Sequence, residues 1–337
     1  MQRLRQRLGE SMHFVFVHLG VAKAEHLRPN LKRLQRLFPQ IPVTLIYSDL
    51  NFLNDYQDLP VLFHRYTESK DSTHILNNLS HNSNFRNNFW RYSIERLFAL
   101  SEWHDINTEA KMLHLESDIL IMPNFPIEKF ESIETISWCS FSESHDVASI
   151  VYSPSHLETR WMTLELEELL REDPTLTDMT GLRKLVLKFP NRSSYLNSKA
   201  AYEMFGGIFD AAPFGMWLCG RDPRNYKGIT RRFMSLPESD IDPSSASFTF
   251  GRKSYLSVKL QGKNMTHLFN LHIHSKQKVI FGQNWRLVIA LYVLTSRIKF
   301  PNTWFSPMCF LKLLINSFRR NGMQNFWIQI RALNPYK

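Results

Sequence analysis

Three short apolar runs near the start of the chain narrow the choice of fold more than any other feature of the sequence. "HFVFVHLG" (13–20), "PVTLIYSD" (42–49) and "PVLFHRY" (60–66) are rich in β-branched and aromatic residues, and a helix-like stretch, "AKAEHLRPNLKRLQRLFPQ" (22–40), separates the first two. Parallel strands need a crossover between them, and this strand–helix–strand order supplies one. The expectation is an α/β fold with a mostly parallel central sheet flanked by helices. In such sheets ligands gather beyond the carboxyl ends of the strands, and Ser48 and Asp49 end the second run.

Later segments extend the pattern. "FRNNFWRYSIERLFALSEW" (85–103) predicts a helix whose apolar face carries Phe89, Trp90, Ile94, Leu97 and Phe98. "MLHLESDILIMP" (112–123) and "IETISWCSFS" (133–142) read as strands, and 155–189 as mainly helical with an interruption at "EDPTLTD". The polar stretches 67–84 and 236–247 read as loops. "AYEMFGGIFDAAPFGMWLCGRDPRN" (201–225) is rich in glycine and aromatics, and "HLFNLHIHSKQ" (267–277) reads as a strand entering a basic loop. With 337 residues, 43% of them hydrophobic, the chain can build a full core as one α/β domain or two closely fused halves.

Charge is unevenly placed. The chain carries +10 overall, yet its last acidic residue is Asp242, and 252–337 contains fourteen Lys/Arg and no Asp/Glu. A one-sided stretch of this length points to an anionic partner: a phosphorylated ligand, an acidic membrane face or nucleic acid. No helix-turn-helix, zinc-finger or RNA-recognition signature is present, which ranks nucleic acid last. Cys139, Cys219 and Cys309 lie far apart without paired spacing, as expected of buried thiols in a reducing, cytoplasmic setting. His13 and His18 interrupt the short apolar stretch near the start, favouring a first core strand over a signal peptide.

In a single strand over 112–123, alternation puts His114, Glu116 and Asp118 on one face, near the strand's end. Two carboxylates there can converge on a hard cation such as Mg²⁺ or Mn²⁺; a solvated strand end or an ion pair with Arg or Lys fits the same triplet. In "LFNLHIHSK" the same alternation puts His272 and His274 together, with Lys276 two residues on. Imidazole suits Mn²⁺ better than Mg²⁺, and an ammonium can neutralise a phosphate.

These motifs resemble those of the GT-A glycosyltransferases, which use nucleotide-diphosphate sugars. "HLESDILIMP" resembles their D-x-D-bearing strand, and "FRNNFWRYSIERLF" the helix before it in some bacterial members. "FDAAPFGMWLCGRDPRN" resembles their acceptor-side segment and "LHIHSK" their late histidine and lysine. The resemblance covers roughly 13–280, with Glu116 standing where the family has Asp. It implies a GT-A-like domain over 12–280, with a nucleotide-binding half (12–125), an acceptor half (126–280) and a basic, amphipathic, helical C-terminal extension over 283–337. It further implies that Asp118, helped by Glu116 and by His272 or His274, holds Mn²⁺ or Mg²⁺ across the donor's phosphates, with Lys276 on phosphate oxygens.

Asp49 is placed to meet the base or ribose, and a turn or helix cap is its other reading. Arg86 can reach phosphate or sugar, while Arg96 reads as a structural ion pair. Asp210, with Asp222 behind it, is the candidate base for an inverting transfer, a structural or acceptor-binding role being its alternative. The implied partners are a nucleotide-diphosphate sugar and a glycan or lipid-linked acceptor, with the basic end of the chain on the inner face of an anionic membrane. A nucleotidyltransferase on a related sheet, or a non-catalytic membrane- or nucleic-acid-binding protein, remain the alternatives.

Overall fold

The computed structural model describes residues 12–21, 24–67, 70–81, 85, 88–220, 239–251, 253, 255–274 and 278–296. In chain order these form β1 (Met12–His18), α1 (Leu27–Leu37), β2 (Val43–Tyr47), α2 (Leu50–Leu53), β3 (Leu62–Arg65), α3 (Lys70–Asn77), α4 (Phe89–Ile106), β4 (Lys111–Leu115), β5 (Ile119–Ile121), β6 (Ile136–Ser140) and β7 (Asp146–Ser153). There follow α5 (His156–Glu172), α6 (Asp178–Lys188), β8 (Ser193–Tyr195), α7 (Lys199–Phe205), β9 (Gly207–Ile208), α8 (Pro213–Cys219), β10 (Ser247–Phe250), β11 (Leu256–Lys259), β12 (Met265–Leu268), β13 (Asn270–His272), α9 (Lys278–Phe281) and α10 (Trp285–Ser296).

Seven strands form one sheet in the order β3-β2-β1-β4-β7-β6-β8. β3, β2, β1 and β4 run parallel, β7 is antiparallel to both of its neighbours, and β8 is parallel to β6. The mixed α/β architecture with a largely parallel sheet is therefore as the sequence predicts.

Period-two alternation explains why the first runs are apolar throughout. Phe14 and Phe16 of β1 pack with Leu27, Leu31 and Leu34 of α1, while Val15 turns to the opposite face, into the cluster of Ile94 and Leu97 from α4 and Met162 and Leu166 from α5. Helices cover both faces of β1 and β2, so most positions along them are in a core, whereas the edge strand β3 leaves Leu62 and Phe63 exposed. Each large side chain buried this way stabilises the fold by roughly 1.5–3 kcal/mol.

A second group of elements builds on the far side of β5. β10-β11-β12-β9 form a four-stranded sheet, and β5 pairs with β13 alone. Leu120 of β5, Leu271 of β13, Phe214 and Leu218 of α8, and Trp285, Ile289 and Tyr292 of α10 share one buried cluster. The described part of the basic C-terminal region thus packs against β5, β13 and α8, and 297–337 lies outside the described residues. Among the described residues no helix is long and apolar enough to cross a membrane. Cys139 and Cys219 are buried free thiols, pushed up by burial, and Cys309 lies outside the described residues.

Two local expectations change. The polar stretch read as a loop contains α3, whose Ile75 and Leu76 are buried in the α4–α5 layer. The apolar run 112–123 is two strands in two different sheets, β4 and β5, with consequences for the site described below.

One buried group gives the fold a pH dependence. His104 of α4 is fully buried, with Nε2–H donating to the Ala110 carbonyl (2.7 Å) and Nδ1 2.7 Å from Thr159 Oγ1. Burial pushes its imidazole down to about 4. The unfolded chain protonates near the ordinary value of about 6.5, so between those values it holds more protons than the folded chain. Stability is full above this window and falls as pH drops through it, by roughly 3 kcal/mol. Urea midpoints measured from pH 7.5 to 4.5 should fall accordingly, and His104→Gln should make the fall shallower by that share, the buried His114 contributing a fall of its own.

Candidate functional site

The chain leaves the seven-stranded sheet at Leu115 and enters the β5–β13 ladder at Ile119, and Glu116, Ser117 and Asp118 make the turn between them. The Ile119 N–H closes the turn on the Glu116 carbonyl (3.0 Å). Ser and Asp favour such turns because their short side chains bond nearby backbone. The break corrects the reading of 112–123 as one strand. His114 does not share a face with the two acids; its Nδ1–H donates to the Val15 carbonyl (2.9 Å) in the core, and burial pushes it down to about 3. It is neutral and structural.

Helix α1 holds the turn from one side. Asn30 Nδ2 donates to the carbonyls of Ser117 (3.1 Å) and Ile119 (2.8 Å), and Arg33 donates to that of Ile121 while its guanidinium lies 4.2 Å over the Trp285 ring. The turn sits at the carboxyl end of β4, beside the carboxyl ends of β1 and β2, which is the edge where ligands bind in sheets of this kind.

Strand pairing brings the distant histidine in. The β5–β13 register sets His272 opposite Ile119, and the Ile273 N–H donates to the Asp118 carbonyl (2.8 Å). His272 Nε2 then lies 3.2 Å from Glu116 Oε2 and 3.5 Å from Asp118 Oδ1. One ligand atom from each of Glu116, Asp118 and His272 falls within 4.8 Å of the others. His272 Nδ1–H donates to the Ala211 carbonyl (2.7 Å), which fixes the ring and turns Nε2 toward the carboxylates. Burial lowers the His272 imidazole, but Asp118 and Glu116 outweigh it and hold it well above its ordinary value. Two carboxylates and one imidazole are a donor set that fits Mn²⁺; without a metal, a protonated His272 is the cation the two acids share.

Around this trio stands a second tier of charge. Arg96 of α4 donates one Nη to Glu116 Oε1 and the other to Asp178 Oδ2 (2.9 Å). Burial raises Glu116, but the Arg96 guanidinium and His272 together hold its carboxyl well below the usual range. Asp178, the first residue of α6, is held above its ordinary value because burial outweighs Arg96. Its helix starts at a reciprocal cap between Thr177 and Thr180, which fixes the backbone at this point.

Asp210 is 1% exposed. Its Oδ1 accepts from the Phe214 N–H (3.0 Å), and its Oδ2 accepts from the N–H groups of Gly215 (2.8 Å) and His272 (3.0 Å). Asn270 completes the staple, its side-chain carbonyl accepting from the Asp210 N–H and its amide donating to the Asp210 carbonyl (both 2.9 Å). Burial raises the Asp210 carboxyl, with these N–H donors opposing it. Such an arrangement ties α8 to β13 and leaves neither oxygen aimed at the trio.

Of the other residues singled out from sequence, His274 lies against His272 with ring centroids 4.0 Å apart, outside the converging three. Asp49 is half-buried and caps α2, accepting from the Asn51 N–H (3.0 Å), at the same sheet edge. Arg86, Asp222 and Lys276 lie outside the described residues. Sequence reasoning missed Asp178 and Asn270, while Gly215, one of the glycines that permit close backbone approach, does pack against the His272 backbone. For Asp178 a signal existed, since an acid after Thr at a helix start is a cap pattern, but nothing local tied it to Arg96.

Cavities among the described residues include these two. One of about 310 Å³, lined by Leu76, Asn77, His81, Trp90 and Arg91, lies between α3 and the start of α4 and includes none of the trio. A smaller one, about 150 Å³, is lined by Ser140, Tyr195, Asn197, Ala211, Pro213 and Asp240. Its wall includes Ala211, whose carbonyl accepts from His272 Nδ1–H, and none of the trio lines it.

No protein-family model matches the chain, and no curated protein matches it. Among solved structures, an active-site mutant of LgtC is similar at 14% identity and a TM-score of 0.41, over 57% of this chain and 78% of that one. Galactosyltransferase LgtC in complex with donor and acceptor sugar analogues is similar at 13% identity and 0.39, over 56% and 74%. The PaToxG glycosyltransferase is similar at 11% identity and 0.36, over 60% and 80%.

Proposed function

We propose that this chain is a metal-dependent glycosyltransferase of the GT-A type, moving a sugar from a nucleotide-diphosphate donor to a glycan or lipid-linked acceptor. The observation that carries the reading is the meeting of Glu116, Asp118 and His272 at the carboxyl edge of the parallel strands. Glu116 Oε2, an Asp118 oxygen and His272 Nε2 would hold Mn²⁺ or Mg²⁺ between the chain and the donor's phosphates. Bound there, the cation supplies Lewis-acid stabilisation of the negative charge that develops on a departing nucleoside diphosphate.

The chain's own residues do the rest. The α1 contacts to Ser117, Ile119 and Ile121 keep the acidic turn rigid, and the Ala211 carbonyl keeps the imidazole aimed. Asp210, with both oxygens committed to backbone N–H groups, is read as a positioning residue in place of the base. Asp222 then stands as the candidate for taking the acceptor hydroxyl's proton. Asp49 is assigned to the nucleotide, and Arg86 and Lys276 to phosphate. The halves 12–125 and 126–280 divide donor from acceptor. The acid-free stretch 252–337 supports contact with an anionic membrane face, where a lipid-linked acceptor would be presented.

A panel of nucleotide sugars, each with Mn²⁺, tests this through thermal stabilisation of the full chain and release of nucleoside diphosphate. One or more donors should raise the unfolding midpoint only when Mn²⁺ is present. Release of pyrophosphate from a nucleoside triphosphate and a sugar phosphate, with no response to any nucleotide sugar, would instead mark a nucleotidyltransferase.

A further inference from the structure

We infer that Asp178 and Arg96 are positioning residues for the metal-binding trio, acting through the first carboxylate of the acidic turn. The inference rests on the metal-dependent reading above. Its geometric basis is a continuous chain of contacts. Asp178 Oδ2 holds one Nη of Arg96 at 2.9 Å, and the other Nη is bonded to Glu116 Oε1. With Oε1 engaged, Glu116 presents its other oxygen, Oε2, to His272 Nε2 at 3.2 Å. The fork-shaped guanidinium thus settles which oxygen of Glu116 faces the cation and in which plane the carboxylate lies, as a lysine reaching one partner could not.

Charge is consistent with the same assignment. Arg96 meets an acid on each side, Glu116 inside the trio and Asp178 outside it, so its guanidinium is shared between them and does not answer Glu116 alone.

Stability gives a poor account of the arrangement. The side chains of Arg96 and Asp178 are only 11% and 7% exposed, and charges enclosed to this degree give back in attraction little more than they lose in hydration. Their placement has a mechanical explanation instead. Arg96 stands on α4 and Asp178 at the capped start of α6, both anchored in the cluster covering one face of the seven-stranded sheet, so the first acid is aimed by two elements it does not belong to. Glu116 is longer than the Asp of the resembled motif, and a flexible carboxylate needs such an external hold more than a short one does.

The test uses Mn²⁺ alone and the full chain. Mn²⁺ affinity is measured by electron paramagnetic resonance of the free ion, alongside the unfolding midpoint in EDTA. Asp178→Asn, which can still accept a hydrogen bond from Arg96, should keep its EDTA midpoint within a few degrees while weakening Mn²⁺ binding about tenfold or more, the usual effect of removing a group that orients a ligand. Arg96→Lys should weaken it similarly, and Asp178→Glu should recover part of the loss. Unchanged Mn²⁺ affinity (within twofold) in Asp178→Asn and Arg96→Lys, with the native chain binding normally, would overturn the positioning role and leave the metal reading standing. If Asp178→Asn fails to fold, Arg96→Lys decides. A native chain that does not bind Mn²⁺ would overturn both.

Discussion

Asp118→Ala should abolish Mn²⁺-dependent stabilisation by any nucleotide-sugar donor and lower transfer by a factor on the order of 10²–10³, the scale on which removal of a transition-state charge stabiliser is felt. The variant should fold. Its backbone carbonyl still accepts from the Ile273 N–H, so the rung joining β5 to β13 survives. Loss of the carboxylate also relieves crowding with Glu116, both acids lying beside the same imidazole nitrogen. Far-ultraviolet circular dichroism would confirm folding, and thermal melts with and without Mn²⁺ plus donor would read the effect. Native-like metal dependence in Asp118→Ala would remove the basis for the proposed function.

Gly215→Ala should be the most damaging single methyl group near the site. A Cβ built on Gly215 would lie 2.0 Å from the His272 carbonyl oxygen and 2.7 Å from its carbon. Both are backbone atoms, so no side-chain rotation relieves the clash, and α8 and β13 must separate. Overpacking against backbone costs about 3 kcal/mol. For a domain of this size that lowers the unfolding midpoint by roughly 4–5 °C. Asp210 couples the displacement to the trio, because its Oδ2 joins the Gly215 N–H to the His272 N–H. Mn²⁺ affinity should therefore fall with stability, whereas an alanine on the exposed face of α10, such as Leu287→Ala, should change neither.

The parts of the fold legible in the sequence are those where one physical signal dominates. β1 and β2 stand out because helices cover both of their faces, so most of their positions are apolar and buried. α3 was hidden by its polar composition, since only Ile75 and Leu76 reach the core among its described side chains. β7 passed unassigned although all eight of its residues are buried, because Asp146 and two serines dilute its apolar pattern. Glu116, Asp118 and His272 were found from their chemistry, but the reason they meet was not. That reason is a turn in the middle of an apolar run and a pairing register between segments far apart in sequence, neither of which leaves a local trace.

Asp210 shows the converse. Its flanking glycines and aromatics suggested a sugar-facing base, yet those glycines serve close packing: Gly215 lets α8 approach β13, and Gly207 abuts the Phe269 ring. The Arg96–Asp178 contact spans 82 positions and could be known only from the folded chain.

The acidic turn is also the seam between the two packing units, since Glu116 closes a strand of the large sheet while Asp118 opens the ladder that carries α8 and α10. An ion gripped by side chains from both margins of that seam would behave as a rivet. On the proposed reading, filling or emptying the site would then tighten or slacken the unit that carries α8 and α10, so that ion binding and the ordering of that unit become one thermodynamic event.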